Sequence, residues 1–199
     1  MTAELSHFER MRQRYLNRDM PWDHELPPPE VIAMAERLAP GRLIDLGCGT
    51  GRASLYMAAR GWHADAVDFV PEAIDMAREK VTAAGLQPQI RLHVGSVTAM
   101  PFLHGPYDLA IDVGCFHGLD PADQQQYAAE VSRLLRPGAL LLLFVHLRED
   151  ATDQRPAGTP VGSVEQVFSP TFSVAHVEHG ETTVADLRWA SAWYELLRR

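Results

Sequence analysis

Lysine occurs once in 199 residues, at Lys80, and cysteine only twice, at Cys48 and Cys115. The remaining basic residues are arginines scattered along a chain of formal charge −8. That balance excludes the clustered cationic surface a nucleic-acid phosphate backbone requires, and equally an anionic membrane face. Neither nucleic acid nor membrane is therefore expected as a partner. Two cysteines cannot make a disulfide framework, which fits a reducing compartment. The first fourteen residues are charged and polar, without the apolar core of a signal peptide. The longest apolar run, residues 139–145, is far too short to span a bilayer. A cytoplasmic location is the expectation, and no metal site is expected. With 46% hydrophobic and 22% charged residues, the chain has the composition of one sizeable globular domain.

Residues 5–17 carry Leu5, Phe8, Met11 and Tyr15 at helical spacing. Met20-Pro21-Trp22-Asp23 and Pro27-Pro28-Pro29 break that helix, and Pro29 can open a second one over 29–38. Strand and helix then alternate: a strand at 42–46, and a helix at 52–60 with Leu55, Tyr56 and Ala59 as its apolar stripe. A strand at 63–68 and a helix at 71–84 with Ile74, Ala77 and Val81 inward follow. Further strands are expected at 90–95, 107–113 and 139–146. The helix before the last of these has Asp120 as N-cap, Pro121 at N1 and Arg136-Pro137-Gly138 at its end. Five strands with helices in alternation imply a doubly wound, mostly parallel α/β sheet. The last fifty residues differ. A polar loop over 148–162, a short helix near 163–168 and two alternating segments, 172–179 and 187–197, suit an antiparallel pair at one sheet edge, for seven strands in all.

Asp45-Leu46-Gly47-Cys48-Gly49-Thr50-Gly51 stands between the first strand and its helix. Three glycines at alternate positions in a strand-to-helix turn let a ligand press against bare backbone. Asp68 ends the next apolar run, where a nucleotide fold places an acidic group against a ribose diol. Asp45, Asp68, Ser96 and Asp112, Val113 and Gly114 all fall at strand ends, where ligands of such sheets bind. A dinucleotide site prefers G-x-G-x-x-G; here the turn is G-C-G-T-G with a carboxylate two residues before it. That carboxylate repels phosphate and suits an ammonium.

This order of motifs resembles the class I S-adenosylmethionine-dependent methyltransferases over residues 40–147. The residues that carry it are 43–51, Asp68, Tyr107-Asp108-Leu109-Ala110-Ile111-Asp112 and Leu135-Arg136-Pro137-Gly138. A narrower likeness, to the thiopurine, thiol/halide and tellurite-resistance methyltransferases, rests on Met20-Pro21-Trp22-Asp23, Asp112-Val113-Gly114-Cys115-Phe116-His117 and the 188–199 ending. The resemblance implies a Rossmann-like methyltransferase domain with S-adenosyl-L-methionine as cofactor. Residues 1–39 would be an N-terminal helical cover, 40–147 the cofactor-binding core, and 148–199 the acceptor loop and strand pair. The cofactor set it implies is Trp22, Asp45, Gly47, Cys48, Gly49, Thr50, Gly51, Asp68, Phe69, Ser96, Val97, Asp112, Val113 and Gly114. The family usually has an acidic residue after the glycine that ends strand three; here Ser96 follows Gly95. A hydroxyl accepts the same hydrogen bond more weakly.

Each of these residues also has a plainer reading. Asp45 can cap a helix, Asp68 can be a solvated strand end, and Trp22 can anchor the N-terminal helices. Cys48 suits a small turn residue, and Cys115 a structural thiol or a chemical one. Phe116 packs against a ligand or into the core. His117, just past strand four, is the candidate general base, with His146 a weaker one. The absence of an acid–base dyad favours a small-molecule acceptor that needs little proton management: a thiol, a halide or chalcogen, or an ionised hydroxyl. The acceptor site is expected to draw on the cover, residues 115–119 and the loop 148–162, whose scant aromatic surface favours a small acceptor. A nicotinamide-dependent oxidoreductase and a non-catalytic S-adenosylmethionine-binding protein are the alternatives, and monomer and homodimer both remain open.

Overall fold

The computed structural model describes residues 5–148, 158–184 and 187–199. Its sheet runs β3-β2-β1-β4-β5-β8-β7. The strands are β1 (Arg42–Leu46), β2 (His63–Asp68), β3 (Ile90–Val94), β4 (Tyr107–Val113), β5 (Leu135–Arg148), β7 (Phe172–Val184) and β8 (Leu187–Arg198). A two-residue strand, β6 (Thr159–Pro160), pairs with β5 off this path, so the sheet has eight strands where seven are expected from sequence. β1 to β5 pair in parallel, and β8 lies antiparallel to both β5 and β7. Strand order reverses beside β1, which pairs with β2 on one side and β4 on the other. The crevice of such a sheet opens at that point.

Helices α2 (Pro29–Arg37), α3 (Arg52–Ala58) and α4 (Pro71–Ala83) cover one face; α5 (Pro121–Leu134) and α6 (Ser163–Phe168) cover the other. Val31, Met34, Met57, Trp62, Leu109 and Leu142 pack under the first layer, and Tyr107, Tyr127, Leu134, Leu141 and Phe168 under the second. Asp120 caps α5 by accepting from the N–H groups of Ala122 and Asp123 at 2.9 Å each. Helix α1 (His7–Leu16) starts with a capping box between Ser6 and Glu9 and lies on α4, with Arg12 bonded to Glu72 at 2.6 Å.

Beyond the added strand, the structure differs from the sequence expectation in three places. The buried face of α3 is Ala53, Ser54, Met57 and Ala58; Leu55 and Tyr56 are half-buried and Ala59 is exposed. In so short a helix, packed on β2 and β3 and against α2, the small residues take the inward face and the bulkier ones reach its flanks. β5 begins at Leu135, directly after α5, pairs Leu135 with Tyr107, and is then bulged before Leu140 pairs with Leu109. Gly138, at φ +79°, lies within that bulge. β7 continues past His179 to Val184, because Gly180, Glu181, Thr182 and Thr183 find partners on β8. Of the loop expected over 148–162, residues 149–157 fall outside the described residues, as do 185 and 186 in the β7–β8 connection.

Candidate functional site

The three glycines of the turn after β1 all have positive φ, +68° at Gly47, +55° at Gly49 and +81° at Gly51. The N–H groups of Gly47 and Cys48 both donate to the Val67 carbonyl at 2.9 and 3.0 Å, which folds the turn back over the end of β2. A Cβ on Gly47 would stand 2.5 Å from the Cβ of Cys115, and one on Gly49 would stand 3.1 Å from the Tyr15 hydroxyl. The turn is thus a cradle that side chains would fill.

Three carboxylates at the strand ends surround it, and each fastens a loop. Asp45 Oδ2 accepts from the Ser54 N–H at 3.0 Å and the Ser54 hydroxyl at 2.6 Å, locking α3 onto β1. Asp68 accepts from the Gly49 N–H at Oδ2 and the Val70 N–H at Oδ1, both at 2.9 Å. Asp112 accepts from the N–H groups of Gly114, Cys115 and Phe116 and from the Tyr127 hydroxyl. All three are buried, and among the described residues none is in an ion pair. Burial outweighs these hydrogen bonds and raises their pKa values: Asp45 to about 6, Asp112 to about 7, and Asp68 upward. Arg52, in the same cavity wall, lowers Asp45 somewhat through its charge but forms no ion pair with it, and burial still prevails.

A cavity of about 1110 Å³ opens over these strand ends. Its walls include every residue of the implied cofactor set except Gly51 and Asp112, and they include His117. Gly51 instead caps α3 and packs on Ala77, and the Asp112 carboxylate is spent inside its own loop. Phe69 is held by α1, with His7 stacked at 5.7 Å and Phe8 edge-on at 5.7 Å. Ser96 is exposed, its hydroxyl bonded to that of Thr98 at 2.7 Å, while Val97 is buried beside it.

The N-terminal segment is latched across the turn. Thr50 Oγ1 donates to Asp23 at 2.5 Å, and the only lysine, Lys80, donates to Thr50 Oγ1 at 2.7 Å and to Asp23 at 3.2 Å. Trp22 lines the cavity, yet packs edge-on against Tyr15 and takes the Arg14 guanidinium at 5.2 Å from its ring centroid. Both of its sequence-level readings, anchor and cover, describe part of this arrangement. The Asp23 and Lys80 roles have no signal in sequence spacing.

Burial and nearby carboxylates push both thiols, Cys48 and Cys115, well above their ordinary range, which keeps them protonated and unreactive. Phe116 is fully buried between Tyr127 and Phe168, a core residue. His117 is lowered to about 3 by burial and by neighbouring His146. Its Nδ1 accepts the His146 backbone N–H at 3.2 Å, an assignment that places the ring proton on Nε2. A ring so held is a hydrogen-bonding wall, neutral at pH 7, with little basicity to offer.

The aromatic surface missing from the loop 148–162 is supplied by strands. Phe144 and His146 of β5 and Trp189 and Trp193 of β8 line the far side of the cavity. Trp189 stacks on His146 at 5.0 Å, and Trp193 tilts against Phe144 at 5.0 Å. In sequence these positions read only as alternating edge-strand residues.

Residues 43–138 match the family described as "Methyltransferase domain". An uncharacterized methyltransferase of Mycobacterium bovis, Mb3374, is 32% identical over 123 residues, which are 62% of this chain and 47% of that protein. The chain thus spans about half the length of curated relatives it matches. Among solved structures, the Burkholderia thailandensis 1,6-didemethyltoxoflavin-N1-methyltransferase, with bound 1,6-didemethyltoxoflavin and S-adenosylhomocysteine, shares the fold. Its TM-score is 0.72 at 20% identity, over 100% of this chain and 93% of that one. TehB from Haemophilus influenzae has a TM-score of 0.76 at 15% identity, over 94% and 67% of the two chains; at that identity it shares the fold alone.

Gly47→Ala is expected to lower both stability and cofactor binding, since it adds a left-handed-region penalty of about 1 kcal/mol to the Cys115 clash. Gly47→Ala/Cys115→Gly removes the clashing atoms and should recover most of the binding, leaving the backbone term. Calorimetric titration with S-adenosylhomocysteine and denaturant melts of the three proteins measure both; equal losses in the single and double variants would place the fault elsewhere.

Proposed function

We propose that this chain is an S-adenosylmethionine-dependent enzyme that methylates a small-molecule acceptor, a reading supported by the match of residues 43–138 to the methyltransferase domain family. The observation that carries the reading is the pair of buried carboxylates, Asp45 and Asp68, in the cavity wall beside a glycine cradle and outside any ion pair among the described residues. That donor set fits the cofactor. Asp68 lies where a ribose diol could donate to it, and Asp45 where an ammonium could. Phe69, Ser96 and Val97 would flank the adenine, and Val113 and Gly114 the methionine part. When bound, this cofactor supplies an electrophilic methyl group for direct in-line displacement by the acceptor nucleophile.

The chain's own contribution is alignment and exclusion of water. Residues 1–39 form the cover, latched through Asp23, Thr50 and Lys80. Residues 40–147 hold the cofactor, and 148–199 furnish the acceptor wall, all within one domain. Of the groups just past β4, His117 is too weakly basic and Cys115 stays protonated, so neither serves as a general base near pH 7. An acceptor that ionises without help fits such a site, a thiol, a halide or chalcogen, or an acidic hydroxyl. His117 then serves to position the acceptor.

The test is methyl transfer from labelled S-adenosylmethionine to thiols, halides and phenols, with thermal shift by S-adenosylhomocysteine set against NADH. Stabilisation by S-adenosylhomocysteine alone and a labelled product are expected. Asp68→Asn, which keeps the shape of the loop fastener, should weaken binding at least tenfold. Stabilisation by NADH would favour an oxidoreductase, and binding without any product would favour a non-catalytic protein.

Cofactor affinity should also depend on pH in a defined sense. A bound cation favours ionised Asp45, so affinity is full above its pKa of about 6 and falls as pH drops through it, by about tenfold between pH 7 and 5. Asp45→Asn should bind more weakly and lose that slope. A parent protein with flat affinity over this range would remove Asp45 from the ammonium site.

A further inference from the structure

The sheet ends on β7, and among the described residues no strand pairs with its outer edge. Its pairing with β8 is irregular at Ala175, where a bulge shifts the register between Val174 and His176. Beyond that bulge, residues 176–184 pair without interruption over about 30 Å, at ~3.3 Å per residue. That stretch alone exceeds an ordinary whole strand of about five or six residues. Such an edge offers a row of backbone N–H and C=O groups to another strand. Lysine and proline, the usual guards of an exposed edge, are absent from β7. Glu178, His179, Gly180 and Glu181 are all exposed.

A second copy of this chain is the partner that the charges of this edge fit. Two copies of one strand pair antiparallel about a two-fold axis perpendicular to the sheet, so directly opposed residues lie on the same face. Glu178, Gly180 and Thr182 share one face of β7, and Val177, His179, Glu181 and Thr183 share the other. The axis must therefore pass through a residue. An axis at Glu178 or at Glu181 sets that carboxylate against its own copy, and like charges directly opposed are destabilising. An axis at His179 sets the two imidazoles together and leaves Glu181 against Val177. An axis at Val177 draws the Ala175 bulge into the ladder. One at Thr182 carries Glu178 and His179 past the end of the strand. An axis at Gly180 puts no side chain against its own copy. It sets His179 opposite the partner's Glu181, Glu178 opposite the partner's Thr182 and Val177 opposite the partner's Thr183. An imidazole N–H donates to a carboxylate, and symmetry makes the His179–Glu181 contact twice. Glu181 is also bonded to Arg188 of its own β8, on the same face.

We infer that the protein forms a symmetric dimer in which β7 pairs with β7 of a second copy, antiparallel about Gly180, so that the two sheets become one. Helix α6 packs beside Phe172, at the end of β7 far from the axis, through the Phe168–Phe172 ring contact at 5.4 Å. Glu178, Gly180 and Thr182 also line the large cavity, so the partner's strand borders its rim. The inference stands apart from the methyltransferase reading, since it uses only the edge strand and its charges.

Sedimentation velocity of the full chain is expected to show a reversible dimer in the micromolar range, and disulfide trapping locates its axis. Gly180 has ordinary φ, and a Cβ there would meet only Ser191 Oγ, at 4.0 Å. In the Gly180→Cys variant two thiols stand directly opposite, with Cα atoms about 4.5–5.5 Å apart, within disulfide reach. Mild copper–phenanthroline oxidation should convert that variant to a covalent dimer. Glu178→Cys, whose two copies stand four residues apart along the ladder, should stay largely unlinked, as should the parent with Cys48 and Cys115. His179→Glu sets like charges opposite and should raise the dimer dissociation constant at least tenfold. His179→Glu/Glu181→His exchanges the partners and should return it to within threefold of the parent, with thermal melts showing all variants folded. A monomer throughout the micromolar range overturns the inference. So does a dimer that Gly180→Cys fails to trap, equal trapping of Glu178→Cys, or a double variant as weak as His179→Glu alone.

Discussion

Three buried carboxylates govern this molecule, and their cost is the key to their use. Asp45, Asp68 and Asp112 end three parallel strands, and each ties the following or neighbouring loop with backbone N–H groups. Neutral donors orient a carboxylate but do not replace the hydration it has lost, so the acids are raised toward neutrality. A cation placed among them would recover that energy. The same groups that shape the cradle therefore also define the sign of what enters it.

The division of labour follows the sheet. Around β1, β2 and β3 the walls are glycine backbone, carboxylate and a phenylalanine clamped by α1, a surface suited to an amino-acid nucleoside. Beyond β5 they turn aromatic and nearly uncharged until the β7 rim. His117 stands at the border, neutral and bonded to the β5 backbone. The two halves are continuous in one cavity, as alignment of two reactants demands.

Much of the cavity wall at the ends of β1 and β2 was legible in the sequence because its requirements are local. A glycine with positive φ, an acid at a strand end and a proline at the first turn of a helix each act within a few residues, and β1, β2 and β4 lie where their patterns place them. The wall beyond β5 was not legible, because its determinants are a matter of register across strands distant in sequence. Nothing in 187–197 alone reveals that Trp193 meets Phe144 or that Gly180 lies opposite Ser191. The stripe of α3 differs for a related reason: apolar periodicity names Leu55 and Tyr56, whereas the close approach of the helix to β2 and β3 buries Ala53 and Ser54. Asp112 shows a third limit, a carboxylate at the right strand end whose oxygens the loop consumes.

Lys80 brings the N-terminal segment, the glycine turn and α4 to one point. Since it is the sole side-chain amine of the chain, acylation mapped to Lys80, apart from the α-amino group, reads out whether Asp23 and Thr50 are seated on it. Ordinary amine chemistry thus addresses the joint between residues 20–23 and the glycine turn without any engineered label.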